Sequence, residues 1–361
     1  MGAPKGAEQI KWFNTWARAA ASGCAFNFFI GGRGIGKTYS GLLGHKEAYL
    51  SGSCGRLIYM RIQGSELDGA STSDDNPYKK INYKTGSDIE FISAGKAHGY
   101  RICDLVRDAE TGKVISENQI GVGRSLASFH NLRGVDFYDY SHIYFDEFIP
   151  RQGVRRTPEI KQAGSFFSEA YETINRNREL EGEPPVICIF TANAFSLDSS
   201  ILQFFGLVRT IQHMQERGQK RFTDRERSIY VELCESQQIA DLKADTVLYR
   251  AAANNAKFKA VNLENRFTDR ALSVVVQVPI NEYVPIVQYE HITIFEHKST
   301  RRLHAACYVD LCGQKYYANT KQKFLRRYYQ LLKVAMMENV ITFDSADTYY
   351  ELEHLLDKSS R

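Results

Sequence analysis

No run of about 18 apolar residues occurs in the 361-residue chain, so a membrane-spanning helix is not expected. Before Lys11 and Arg18 there is no apolar stretch long enough for a signal-peptide core, and secretion is not expected either. Only 8 prolines accompany 26 glycines, and hydrophobic residues make up 43% of the chain, which excludes disordered and collagen-like classes. The seven cysteines are odd in number and form no C-x-x-C pair, which argues for reduced thiols rather than a disulfide or zinc framework. The net charge of +4 is too small to identify a partner. What remains is a folded chain long enough for two domains.

The charge is unevenly placed. From Lys298 to Lys333 nine cations face one acid, Asp310, and from Val334 onward the sign reverses.

Apolar residues at helical spacing predict a short helix over residues 8–21, followed by a buried strand at Ala25–Ile30. Gly55–Arg61 reads as a second strand, and Gly64–Asp88, rich in Ser, Asp, Gly and Asn, as a long surface excursion. A hairpin is expected around Asp108–Gly112, short strands at 142–146 and 186–191, and a helix at 159–180 between them. This alternation predicts an α/β layer with a mainly parallel sheet. Residues 209–265 carry no strong strand signal and read as a helical linker. From Leu272 several β-rich segments and an amphipathic helix at 320–338 outline a second α/β domain. The expected divisions are 1–207, 208–265 and 266–361.

Gly31-Gly32-Arg33-Gly34-Ile35-Gly36-Lys37-Thr38 matches G-x-x-x-x-G-K-[ST] between a predicted strand and a predicted helix. By composition such a match arises by chance in about 1% of chains of this length, before the flanking strand and helix are required. The loop's backbone N–H groups wrap nucleotide phosphates, Lys37 reaches the β- and γ-phosphates, and the Thr38 hydroxyl ligates Mg²⁺. Tyr39 continues the nucleotide-binding segment. His142-Ile-Tyr-Phe-Asp146-Glu147 supplies a Walker B carboxylate for the metal, Asp146, and a water-activating base, Glu147. Asn193 ends a strand where doubly wound folds place their ligands, and is a candidate sensor of the γ-phosphate or a turn former. Arg176 and Arg178, after the intervening helix, are candidates for an arginine finger or for solvated helix-end charges. Arg133 stands in the same position of choice. Lys321, Lys323, Arg326 and Arg327 lie beside an aromatic stripe of Phe324, Tyr328, Leu331 and Ala335, and are candidate phosphate contacts for a nucleic acid or a capsid-associated partner.

Together Phe29–Tyr39, Ile143–Ile149, Asn175–Glu179 and Ile189–Ala194 resemble the DNA-packaging ATPases of phi29-like short-tailed bacteriophages, strongly over residues 24–206 and weakly beyond. The resemblance implies an ASCE-type P-loop domain with helices on both faces of its sheet, a helical linker and an RNase H-like C-terminal domain. It also implies ATP and Mg²⁺ as cofactors and a pentameric ring at the portal vertex of the prohead, working in the host cytoplasm on double-stranded DNA, with a structural packaging RNA as a further partner. Lys37 and Thr38 match the family's Walker A, Asp146 and Glu147 its Walker B, Asn193 its sensor motif and Arg176 its trans-acting finger. Arg133 falls where a relative has a functional lysine. Nuclease activity is not expected, because only Asp310 stands in a plausible strand position and two-metal cleavage needs several carboxylates. The competing readings are another DNA-dependent ATPase of helicase type and a nucleotide-switched docking module. A GTPase is disfavoured, since no N-K-x-D base-recognition sequence occurs.

Overall fold

The computed structural model describes residues 11–72, 74–95, 99–132, 135–150, 157–193, 197–252, 254, 274–308 and 313–357. Two units are present, one of residues 1–205 and 214–267, the other of residues 206–213 and 268–361.

The first unit begins with α1 (Thr15–Ser22), β1 (Phe26–Gly31), α2 (Lys37–Leu50) and β2 (Arg56–Arg61). There follow α3 (Gly64–Ala70), α4 (Lys79–Thr85), β3 (Ile89–Ser93), β4 (Tyr100–Arg107), β5 (Val114–Ser125) and β6 (Tyr140–Asp146). Beyond these come α5 (Pro158–Lys161), α6 (Ala163–Asn175), β7 (Ile187–Asn193), α7 (Ser200–Phe204) and α8 (Val208–Glu216), which crosses the unit boundary. The unit closes with β8 (Arg221–Asp224), β9 (Ile229–Cys234), α9 (Gln237–Ala244) and α10 (Val247–Ala251).

Its nine-stranded sheet runs β3-β4-β5-β2-β6-β7-β1-β9-β8. The six strands from β5 to β9 are mutually parallel, and antiparallel pairs close both edges. Parallel strands covered on both faces read as continuous apolar runs, and Phe28, Ile58, Ile143 and Phe190 are fully buried at the centre. Phe28 and Phe190, on neighbouring strands, stack at 4.3 Å. Because β7 lies between β1 and β6, the carboxyl ends of three strands bring the glycine loop, Asn193 and Asp146 to one edge.

The second unit contains β10 (Tyr283–Tyr289), β11 (Ile292–His297), β12 (Leu303–Ala306), β13 (Lys315–Tyr316), α11 (Lys321–Met337), β14 (Ile341–Phe343) and α12 (Ala346–Asp357). Its sheet order is β13-β10-β11-β12-β14, with β10, β11 and β12 antiparallel and the outer two strands parallel to their neighbours.

Several expectations are corrected. Among the described residues the first helix starts at Thr15, where Asn14 caps it by accepting from the Ala17 amide at 3.0 Å; residues 8–10 of the expected helix lie outside the described residues. Gly64–Asp88 is not a surface excursion: it forms α3 and α4, held down by buried Leu67, Ala70, Tyr78 and Ile81, anchors too sparse in a polar background to show as periodicity. The supposedly strand-free stretch 209–265 supplies β8 and β9, and β9 pairs in parallel with β1 along its whole length. On α11 the buried face is Phe324, Leu325, Tyr328, Leu332 and Ala335, while Leu331 is exposed. The 3.6-residue repeat carries the apolar stripe through 325 and 332 instead.

Candidate nucleotide site

The glycine loop joins β1 to α2 in a way only glycine permits at two positions. A Cβ on Gly31 would lie 2.1 Å from the Cys234 carbonyl oxygen of β9, and Gly36 caps α2 with φ +104°. Phe13 fixes the loop from outside, its amide donating to the Ile35 carbonyl at 3.0 Å. Thr15 and Tyr144 hydroxyls both donate to the Lys37 carbonyl, at 2.5 and 3.0 Å, and pin the first turn of α2.

Lys37 is buried, and its ammonium donates to the carbonyls of Gly31 at 3.0 Å and Gly32 at 2.8 Å and to Asn193 Oδ1 at 3.4 Å. Burial pushes its pKa down to about 8, against the pull of Cys234 and Asp146. Among the described residues the ammonium touches carbonyl and amide oxygens and no carboxylate, a place that a phosphate suits.

Asp146, at the carboxyl end of β6, is saturated with donors. Its Oδ1 accepts from Thr38 at 3.1 Å and Thr191 at 2.6 Å, and its Oδ2 from Tyr59 at 3.1 Å. Arg61, at the end of β2, bridges the acidic pair, with one nitrogen 3.1 Å from Asp146 Oδ2 and another 3.1 Å from Glu147 Oε2. Burial works against the Arg61 charge, but Asp146, Tyr59 and Glu147 outweigh it and raise its pKa. Burial, reinforced by Asp146, holds the Tyr59 hydroxyl protonated well above its usual range. Glu147 itself adopts φ +52°, a left-handed conformation unfavourable for a residue with a Cβ.

These groups line one cleft of about 400 Å³, with Trp12, Arg33, Gly34, Gly36, Thr38, Tyr39, Lys80, Lys84, Ala192 and Asn193 around Lys37, Asp146 and Glu147. The volume suits a small ligand. Gly31 and Gly32 serve through their carbonyls, and Ile35 is a buried anchor of the loop. The paired Thr38 hydroxyl and Asp146 carboxylate form an all-oxygen donor set at the cleft wall, chemistry that fits Mg²⁺.

Arg176 and Arg178 lie elsewhere. The Arg176 guanidinium donates to the Val135 carbonyl at 2.6 Å, and Arg178 donates to the carbonyls of Tyr138 and, at 2.9 Å, Tyr140. Tyr140 opens β6 and Asp146 ends it, so six steps of about 3.3 Å put about 20 Å between the Arg178 contact and Asp146, and neither arginine lines the cleft. Arg176 carries φ +43° and ψ −126° at the end of α6, a strained backbone for a non-glycine residue. Arg133 and Asp310 fall outside the described residues. Lys321, Lys323, Arg326 and Arg327 all lie on the first two turns of α11, with Arg327 over the Tyr328 ring at 5.6 Å.

Sequence reasoning missed Arg61, Trp12, Lys80 and Lys84. Arg61 had a signal: it ends a predicted strand, the placement that singled out Asn193. The lysines had none, because their helix was read as a loop.

A family model described as podovirus DNA encapsidation protein (Gp16) matches residues 13–360. The fold is similar to a chain of the phi-28 gp11 DNA packaging motor, at 15% identity and TM-score 0.61, covering 95% of this chain and 96% of that one. It is also similar to a chain of the bacteriophage phi-29 viral genome packaging motor assembly, at 18% identity and TM-score 0.62, covering 96% and 99%. No curated protein matches the sequence.

Proposed function

The chain belongs to the podovirus DNA encapsidation protein (Gp16) family, and from that premise we propose that it hydrolyses ATP to drive double-stranded DNA into a viral capsid. The observation that carries this reading is the convergence of Lys37, Thr38, Asp146, Glu147 and Asn193 on one cleft at the carboxyl edge of a parallel sheet.

The Lys37 ammonium leaves its carbonyl partners for the β- and γ-phosphates, and the loop amides cradle the chain of phosphates. Thr38 and Asp146 would hold Mg²⁺, which would offset phosphate charge. Glu147 orients the attacking water and takes its proton, and Asn193 holds the γ-phosphate side of the cleft. Arg61 bridges the two carboxylates and holds them close together.

Arg176 completes the site of a neighbouring subunit. Its distance from the acidic pair of its own chain and its strained backbone both support a role in trans. Catalysis across interfaces requires an oligomer, and we assign a ring of five subunits docked on the portal vertex of the prohead in the host cytoplasm. The cations of α11 are available to a structural RNA or to the vertex protein.

Steady-state ATPase measured against protein concentration, with and without duplex DNA, tests the reading. Turnover that rises with both concentration and duplex, and less with single strands, is the expected result. Turnover indifferent to concentration and to DNA would overturn it.

A further inference from the structure

Helix α4 presents two lysines to the mouth of the nucleotide cleft. Lys80 and Lys84 are four residues apart, on one face of the helix, and both line the cleft. The Lys80 ammonium lies 5.3 Å from the centre of the Trp12 ring and 5.6 Å from that of Tyr39, and the Lys84 ammonium lies 5.5 Å from the Tyr39 ring. The opposite face of α4 is anchored. Ile81 is fully buried, Asn82 donates to the Ile89 carbonyl and accepts from the Ile89 amide, each at 3.0 Å, and Lys46 donates to Thr85 at 2.9 Å.

The neighbouring Lys79 behaves like an ordinary surface lysine, paired with Asp74 at 3.1 Å. Among the described residues Lys80 and Lys84 have no carboxylate within salt-bridge distance. Two uncompensated cations held over aromatic rings at the mouth of an anion-binding cleft offer a phosphate a better partner than the rings provide. Their place along the cleft identifies which phosphate. Lys37 occupies the deep end beside Asn193, where the β- and γ-phosphates belong. Tyr39 follows Thr38 on the first turn of α2, beside the amides that receive the nucleoside-proximal phosphate.

We propose that Lys80 and Lys84 are ligands of the α-phosphate of the bound nucleotide, so that α4 is a second phosphate-binding element facing the P-loop. The proposal rests on the ATPase reading of the cleft. Because ATP and ADP share the α-phosphate, the contact strengthens substrate and product binding alike and adds nothing specific to the transition state. It sets affinity and product retention, not the chemical step.

The test is the double variant Lys80→Met/Lys84→Met in the full-length chain, with calorimetric titration of ADP and steady-state ATPase. The ADP Kd and the KM for ATP should each rise about tenfold while saturating turnover does not fall. Lys80→Arg/Lys84→Arg should restore wild-type affinity, and Tyr83→Ala, on the exposed side of α4, should leave it unchanged. A double Met variant that binds ADP within twofold of wild type would overturn the proposal while leaving the ATPase reading intact. Wild-type protein that binds neither ADP nor ATP would overturn that reading, and this proposal with it.

Discussion

Arg61 and Glu147 form an ion pair at 3.1 Å across two strands that are neighbours in the sheet but 86 positions apart in the chain. The same guanidinium holds Asp146, so one cation of 15% side-chain exposure bridges two carboxylates that line the cleft.

Removing that cation leaves Asp146, at 6% side-chain exposure, as an uncompensated buried charge. Arg61→Met should therefore destabilise the nucleotide-free protein by about 3 kcal/mol. Urea unfolding checks this, and a midpoint equal to that of wild type would show that the pair is already solvated.

Glu147→Gln keeps the size of the side chain and one acceptor oxygen for Arg61 but removes the carboxylate that would act as base. ATP should bind within a few-fold of wild type, and turnover should fall by about 10²–10⁴. Titration with ATP alongside a phosphate-release assay separates the two effects, and turnover near the wild-type level would dismiss Glu147 as the base.

If Arg176 acts in trans, Arg176→Ala and Glu147→Gln subunits, each inactive alone, should regain activity when mixed. A mixed ring contains interfaces that pair an intact Glu147 with an intact Arg176. Phosphate release that is merely the sum of the two separate preparations would place the arginine in its own site or outside catalysis.

Burial pushes the Lys37 pKa down to about 8, and a bound polyphosphate favours its charged form. ATP affinity should be flat below pH 8 and weaken above it by up to about tenfold per pH unit, with uptake of a proton on binding. Calorimetry in buffers of different ionisation heat measures that proton. A Kd constant from pH 7 to 9.5 would contradict the assignment.

His45 and His142, packed against Trp16, are pushed down by burial to about 4 and about 3, and His45 Nδ1 has no hydrogen-bond partner among the described residues. Both are neutral in the folded protein at pH 5, whereas in the unfolded chain they protonate near 6.5. Stability should thus be fully present above pH 6.5 and fall below it, by up to about 1.4 kcal/mol per pH unit for each histidine, until the folded values are reached. Thermal unfolding between pH 7.5 and 5 is the check, and an unchanged midpoint would show that the ring cluster admits water.

The parts of the site that act through consecutive residues were legible in the sequence. Gly31–Thr38 and Asp146-Glu147 carry their chemistry within a few positions, and their strands were visible as short apolar runs. Asn193 was found from its place at a strand end. Residues whose role depends on pairing across the chain were not legible. Nothing near Arg61 announces that β2 will lie beside β6, and nothing near Ile229 announces that β9 will pair with β1 and press Cys234 against Gly31. The separation of Arg176 from its own acidic pair likewise follows from which end of β6 its helix meets.

The sequence by itself determined a glycine loop between a strand and a helix, a strand end carrying Asp146 and Glu147, and an α/β frame, because each is encoded by spacing within a few residues. Only the tertiary structure decided that Arg61 bridges the acidic pair, that Lys80 and Lys84 of α4 line the cleft, and that Arg176 does not. Those outcomes depend on strand order and on a few buried anchors, contacts between residues far apart in the chain that local periodicity does not record.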